Sequence, residues 1–228
     1  MPFMQRCLYR AEGIEGNIRS RLRGERFIQT VEDAMKREGV SRLSLFADGS
    51  WLFLYYECHG ELVLPEILLP EANPWLAVWP GGGAVRRWAA MADIFHYQAP
   101  ASEQHWERRN KNSVPFGRIA RLKPEETASY VYYHYQYQEE RPGDGDKYGI
   151  IGLHENMLFF YSELPATLEP APYKGKLNTS LRPDDWAAAM DPHFIKWEES
   201  PAGQEIWREL ELVREVRISA ERQGTKHA

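Results

Sequence analysis

Tyr130 and His134 stand four residues apart in a run with no helix breaker between Pro124 and Glu140. On a helix such a pair shares one face and can reach one ligand. A phenol beside an imidazole can exchange protons near neutral pH. Tyr133 and Tyr137 repeat the spacing as a second stripe.

The elements that must position these groups are legible. Pro124 suits a first helical turn, where its missing N–H is not needed, and Glu125 and Glu126 then meet the positive end of the helix dipole. The helix is expected over 124–140, followed by the breaker cluster Arg141-Pro142-Gly143-Asp144-Gly145. Strands are expected at 116–122, 147–153 and 157–163, a helix at 184–197 and a last strand at 207–218. The first half reads similarly: strand 4–10, helix 18–38 stopped by Gly39, strands 42–47 and 51–57 around Asp48-Gly49-Ser50, and a helix at 86–95. A short strand is expected near 105–109, and irregular Pro-rich stretches occupy 60–83 and 164–183.

Three matches point to an internal repeat. Trp51-Leu52-Phe53-Leu54-Tyr55-Tyr56-Glu57 parallels Met157-Leu158-Phe159-Phe160-Tyr161-Ser162-Glu163. Gly39 parallels Gly145 at the same offset, and Trp88-Ala89-Ala90-Met91 parallels Trp186-Ala187-Ala188-Ala189-Met190. The expected fold is α+β: two tandem ferredoxin-like β-α-β-β-α-β repeats, 1–114 and 115–228, forming an intrachain dimeric α+β barrel. The chain is then a monomer with an internal pseudo-dimer, or a homodimer.

Bulk properties narrow the partners. The 228 residues carry a net charge of −5 and no long basic run, which disfavours nucleic acid. No apolar run approaches a membrane span, and Met1–Arg6 lacks the apolar core of a signal peptide. Cys7 and Cys58 are expected as a buried reduced pair, and a cytoplasmic location follows. The aromatic content (8 Trp, 12 Tyr, 9 Phe) suits either core packing or a sugar-stacking surface. No Cys/His spacing suggests zinc, Gly81-Gly82-Gly83 leads into no phosphate-binding helix, and no Gly-x-Ser-x-Gly elbow occurs.

The residues resemble the L-rhamnose mutarotases, small α+β barrels with Pro, then Tyr six residues on and His ten residues on. Pro124, Tyr130 and His134 reproduce both intervals, and Gly145, Tyr148, Leu158–Glu163 and Trp186–Met190 follow in the family's order. The resemblance implies His134 as general acid and Tyr130 beside it. It assigns sugar binding to Tyr148 and Trp186, with Tyr133 a further candidate. Ala187 replaces the family's second Trp. The implied reaction is anomer interconversion of L-rhamnose or a related deoxy-sugar by ring opening and closure, with no cofactor and no metal. Acid–base help of roughly 10²–10⁴-fold suffices for it. In the first repeat an ungapped alignment puts Ser20 and Gly24 at the Tyr and His positions, so that half is expected to lack a site.

Plainer readings stand beside these. His134 and the tyrosines can be packed core groups, Trp88 and Trp186 repeat anchors, and His193 a helix-end residue. Glu57 and Glu163 suggest structural pairing. The alternatives in function are a non-catalytic carbohydrate-binding or regulatory protein, and a barrel that binds haem or another aromatic ligand through His134.

Overall fold

The computed structural model describes residues 4–14, 18–81 and 83–218. Met1, Pro2, Phe3 and Gly82, used in the signal-peptide and phosphate-loop readings, lie outside the described residues.

Two antiparallel sheets form the centre. The first contains β1 (Gln5–Glu12), β2 (Val40–Asp48), β3 (Trp51–Cys58) and β4 (Ala89–Ala90). The second contains β5 (Ala92–His96), β6 (Val114–Leu122), β7 (Ile150–His154), β8 (Met157–Leu164), β9 (Phe194–Ile195) and β10 (Arg208–Glu209). The last strand, β11 (Glu211–Arg217), returns to the first sheet, where the order is β11-β2-β3-β1-β4. The second sheet runs β10-β6-β8-β7-β5, with β9 also on β6.

Each sheet therefore borrows an edge. The chain pairs Ala89 and Ala90 with β1, then crosses so that β5 pairs with β7. Late in the chain, Arg208 and Glu209 pair with β6, and β11 crosses to β2. The sheets face each other through Leu8, Phe46, Phe53, Tyr55, Ile119, Phe159 and Tyr161.

Helices cover the outer faces. The first sheet carries α1 (Ile18–Leu22), α2 (Glu25–Glu38) and α3 (Pro65–Leu68). The second carries α5 (Thr127–Glu140) and α6 (Trp186–Met190), while α4 (Glu103–Trp106) lies in the connection between the halves. A 3-10 turn, Pro124–Glu126, leads into α5, as Pro at a first turn should. A second, Asp191–His193, follows α6.

Several expectations change. The helix over 18–38 breaks at Gly24, which is extended (φ −63°, ψ 142°) and caps α2 from outside. The helix expected over 86–95 is absent: 89–90 and 92–95 lie in β4 and β5, because Met91 N–H donates to the Leu8 carbonyl and Ala89 and Ala90 complete the β1 edge. Tertiary pairing overrides the helix propensity of alanine here. The strand expected near 105–109 is replaced by α4, capped by Ser102. The helix over 184–197 shrinks to α6 and its 3-10 turn.

These changes undo one repeat match. Trp88 precedes a strand, whereas Trp186 opens a helix. The residue placed like Trp88 is Trp207: Met91 N–H bonds to Leu8 and Leu210 N–H bonds to Gly117 in the same manner. The Gly39 and Gly145 match also has two causes. Gly39 takes the left-handed conformation that ends α2 (φ 69°). Gly145 instead makes room for the Tyr97 ring, since a Cβ there would lie 2.3 Å from Tyr97 Cε1.

Candidate functional site

Strand alternation in β6 sends Phe116, Arg118, Ala120 and Leu122 to one face. Ala120 and Leu122 join a cluster beneath α5 and α6, whereas Ile119 turns to the space between sheets. Between that face and the two helices lies a cavity of about 380 Å³. Tyr130, His134 and Tyr137 of α5 line it, with Trp186 and Met190 of α6, Phe160 and Arg118 of the sheet, and Trp207. Phe95 and Tyr97 also line it, brought from the first half by the crossing of β5. The loop segment 165–185 ties onto α5 before reaching Trp186. Lys176 N–H donates to Glu139 Oε2 (2.9 Å) and Leu181 N–H to Glu140 Oε1 (3.1 Å). Asp185 then caps α6 by accepting from Ala188 N–H at 2.9 Å.

His134 is 4% exposed. Its ring lies 3.9 Å from the Tyr130 ring, centroid to centroid, and 5.0 Å edge-on to Trp186. Nδ1 stands 2.9 Å from the Tyr130 carbonyl oxygen, an acceptor, so Nδ1 carries the proton and Nε2 holds the lone pair. Burial first and nearby His193 in lesser part, against the raising effect of the Tyr130 carbonyl, hold the ring's pKa down at about 4. The imidazole is neutral at physiological pH. Burial raises the Tyr130 hydroxyl's pKa, so this group stays protonated. Trp186 and Tyr137 pack with ring centroids 5.0 Å apart.

Two candidates lie elsewhere. Tyr133 is not in the cavity lining; its ring meets His193 edge-on at 5.9 Å. Tyr148 is buried with Met4 and Trp106, under the Arg108 guanidinium at 4.0 Å, and its hydroxyl donates to the Glu107 carbonyl. His193 sits at the helix end, bonded to the Met190 carbonyl and Ser129 Oγ.

Glu57 and Glu163 meet in the interior. Arg108 Nη1 lies 2.7 Å from Glu57 Oε2, and its Nη2 lies 2.9 Å from Glu163 Oε1. Ser113 Oγ donates to Glu163 and Trp106 Nε1 to Glu57. This ion cluster lies apart from the cavity lining.

Sequence reading missed Arg118, Phe95, Tyr97, Phe160 and Trp207. For Arg118 a signal existed: a charge on the apolar face of an alternating strand. In the first half the corresponding space is filled. Leu68, Leu69, Ala72 and Leu76 from the 60–83 stretch join Tyr9, Tyr56 and Trp88 in one core.

Among the described residues, no helix is long and apolar enough to cross a membrane, and no group of three or more His, Cys, Asp or Glu is placed to hold a metal.

No protein-family model matches the chain, and no curated protein does. Three similar solved structures carry other names. One from Fusobacterium nucleatum, provisionally named a monooxygenase, is 12% identical, with a TM-score of 0.44 and 95% of both chains covered. One from Lactobacillus acidophilus, named likewise, is 10% identical with a TM-score of 0.44, covering 93% of this chain and 96% of its own. The third, an anthrone oxidase-like protein, is 11% identical with a TM-score of 0.42, covering 94% and 92%. Likenesses this distant carry no argument about activity.

The mutarotase resemblance is corrected. No family model and no curated protein supports it. One residue that carried it also lies elsewhere: Tyr148 is buried with Met4 and Trp106, outside the cavity. The lining is largely apolar, so most hydroxyls of a sugar would go unpaired there at a cost. The deoxy-sugar epimerase assignment is withdrawn.

Proposed function

We propose that the cavity is an active site for a planar aromatic small molecule, and that His134 Nε2 takes a proton from it. The observation that carries this reading is the Nδ1–H bond to the Tyr130 carbonyl, which fixes the tautomer and leaves a neutral base on an aromatic wall. Tyr130, kept protonated by burial, donates to a substrate oxygen. Trp186, Phe95 and Phe160 receive the ring faces.

Removing a proton from a phenol, or from a methylene between two aryl rings, yields a delocalised, electron-rich anion. Dioxygen oxidises such anions. For the methylene the balance is CH₂ + O₂ → C=O + H₂O. The chain is then an oxidoreductase rather than an isomerase. Oxygen uptake and the ultraviolet–visible spectra of hydroxyanthrones and naphthols test this. Protein-dependent uptake that His134→Gln abolishes is expected. An unaltered rate in that variant would overturn it.

The organisation proposed with it is two halves, 1–114 and 115–228, each a ferredoxin-like unit, closed into an α+β barrel by the exchanged strands. Only the second half keeps an open site, and the chain acts as a monomer. The crossing of β5 and β11 supports this.

A further inference from the structure

Arg118 is the arginine on the cavity wall, and it lacks the close carboxylate that holds several other inward-facing arginines. Arg108 is paired with Glu57 and Glu163, Arg42 with Glu215, and Arg10 with Glu155. Arg118 has no carboxylate within 4.0 Å among the described residues; Glu209, opposite it on β10, acts on it only from further away, and the buried Nε has no hydrogen-bond partner. Its guanidinium is ringed by the aromatic faces of Phe160, Phe116 and Trp207 at 5.2, 5.5 and 5.6 Å. The other formal charge on the cavity wall, Asp191, is taken by Lys196 at 3.1 Å. A half-buried cation without a close counter-ion costs stability unless a ligand supplies one. The planar fork of arginine matches a carboxylate in two parallel bonds, and rings around it shield those bonds from water.

We propose that Arg118 receives the carboxylate of the ligand, so that the molecules this cavity takes are planar aromatic acids. The inference rests on the cavity being a ligand site, and it adds the substrate class.

The probes are 2-naphthoate and its neutral isostere 2-naphthamide, titrated by tryptophan fluorescence and calorimetry against the full chain, Arg118→Gln and Arg118→Lys. Naphthoate is expected to bind about tenfold or more tightly than naphthamide. In Arg118→Gln the ratio falls to about one, with naphthamide unchanged, and Arg118→Lys falls between, because an ammonium lacks the fork. Without ligand, Arg118→Gln melts at or above the wild-type temperature, as removal of a half-buried cation with no close counter-ion predicts. A melting point below wild type would make Arg118 a structural group and overturn the proposal. So would equal binding of the two probes, or a preference that survives in Arg118→Gln. Equal binding with His134-dependent oxygen uptake intact overturns only the acid-binding role. Failure of both probes to bind overturns the ligand cavity itself.

Discussion

The rings of Tyr55 and Tyr161 stack face to face, 3.6 Å between centroids and 9° from parallel, where the two sheets meet. The two tyrosines occupy the same place in the matched strands β3 and β8. Each hydroxyl donates to the glutamate two residues on, Tyr55 to Glu57 at 2.6 Å and Tyr161 to Glu163 at 3.3 Å. Arg108 then joins the two carboxylates.

That junction predicts a large stability effect. Arg108→Met leaves two buried carboxylates without their shared cation and should cost about 3–5 kcal/mol in denaturant unfolding. The triple change with Glu57→Gln and Glu163→Gln should recover much of it. A loss below about 1 kcal/mol for Arg108→Met would contradict the reading of this cluster.

The same cluster fixes an acid limb. Burial alone would raise the pKa of Glu57; Arg108, the Tyr55 hydroxyl and Arg42 together hold it at about 2, below its ordinary 4.5. A folded value below the unfolded one means the unfolded chain binds the extra proton. This contribution to stability is full above pH 4.5 and is lost as pH falls towards 2. Melting temperatures across that range should show a shallower fall in Glu57→Gln.

His134 adds a second window. Its pKa drops from 6.5 to about 4 through burial, so here too the unfolded chain takes up the proton first. Stability should decline as pH falls from 6.5 to 4, and His134→Gln should flatten that decline. The proposed activity should hold level above about pH 5, because the base is already free. A rate that rises only above pH 6.5 would show an ordinary, solvated histidine.

Gly175 tests how the 165–185 segment holds Trp186. A Cβ there would lie 1.8 Å from the Glu139 carbonyl oxygen, backbone against backbone. Gly175→Ala should cost about 1–3 kcal/mol and weaken probe binding, since the segment leads directly into α6. Unchanged affinity would mean that Trp186 is positioned without this contact.

The exchanged strands make the halves interdependent. Fragments 1–114 and 115–228, made separately, should lack cooperative unfolding by circular dichroism and regain it when mixed. Each alone loses the edge strand it borrows and exposes backbone donors and acceptors. A half that melts cooperatively alone would refute this.

The sequence by itself determined the local elements with strong periodic or punctuated signals: β2 and β3 around Asp48-Gly49-Ser50, β8, and α5 behind Pro124. It also set Tyr130 and His134 on one helical face, because four-residue spacing is a property of the helix alone. The two thiols came out buried and reduced, Cys7 and Cys58 with sulfurs 4.0 Å apart. What only the tertiary structure decided depends on pairings distant in the chain. Ala89–His96 became strand because two sheets needed edges, and this carried Phe95 and Tyr97 to a helix from the other half. Tyr148 turned to the Arg108 cluster, and Arg118 came to line the cavity with no carboxylate close to it. A side chain's environment is the sum of neighbours that other segments supply, and no local spacing encodes which segments those are.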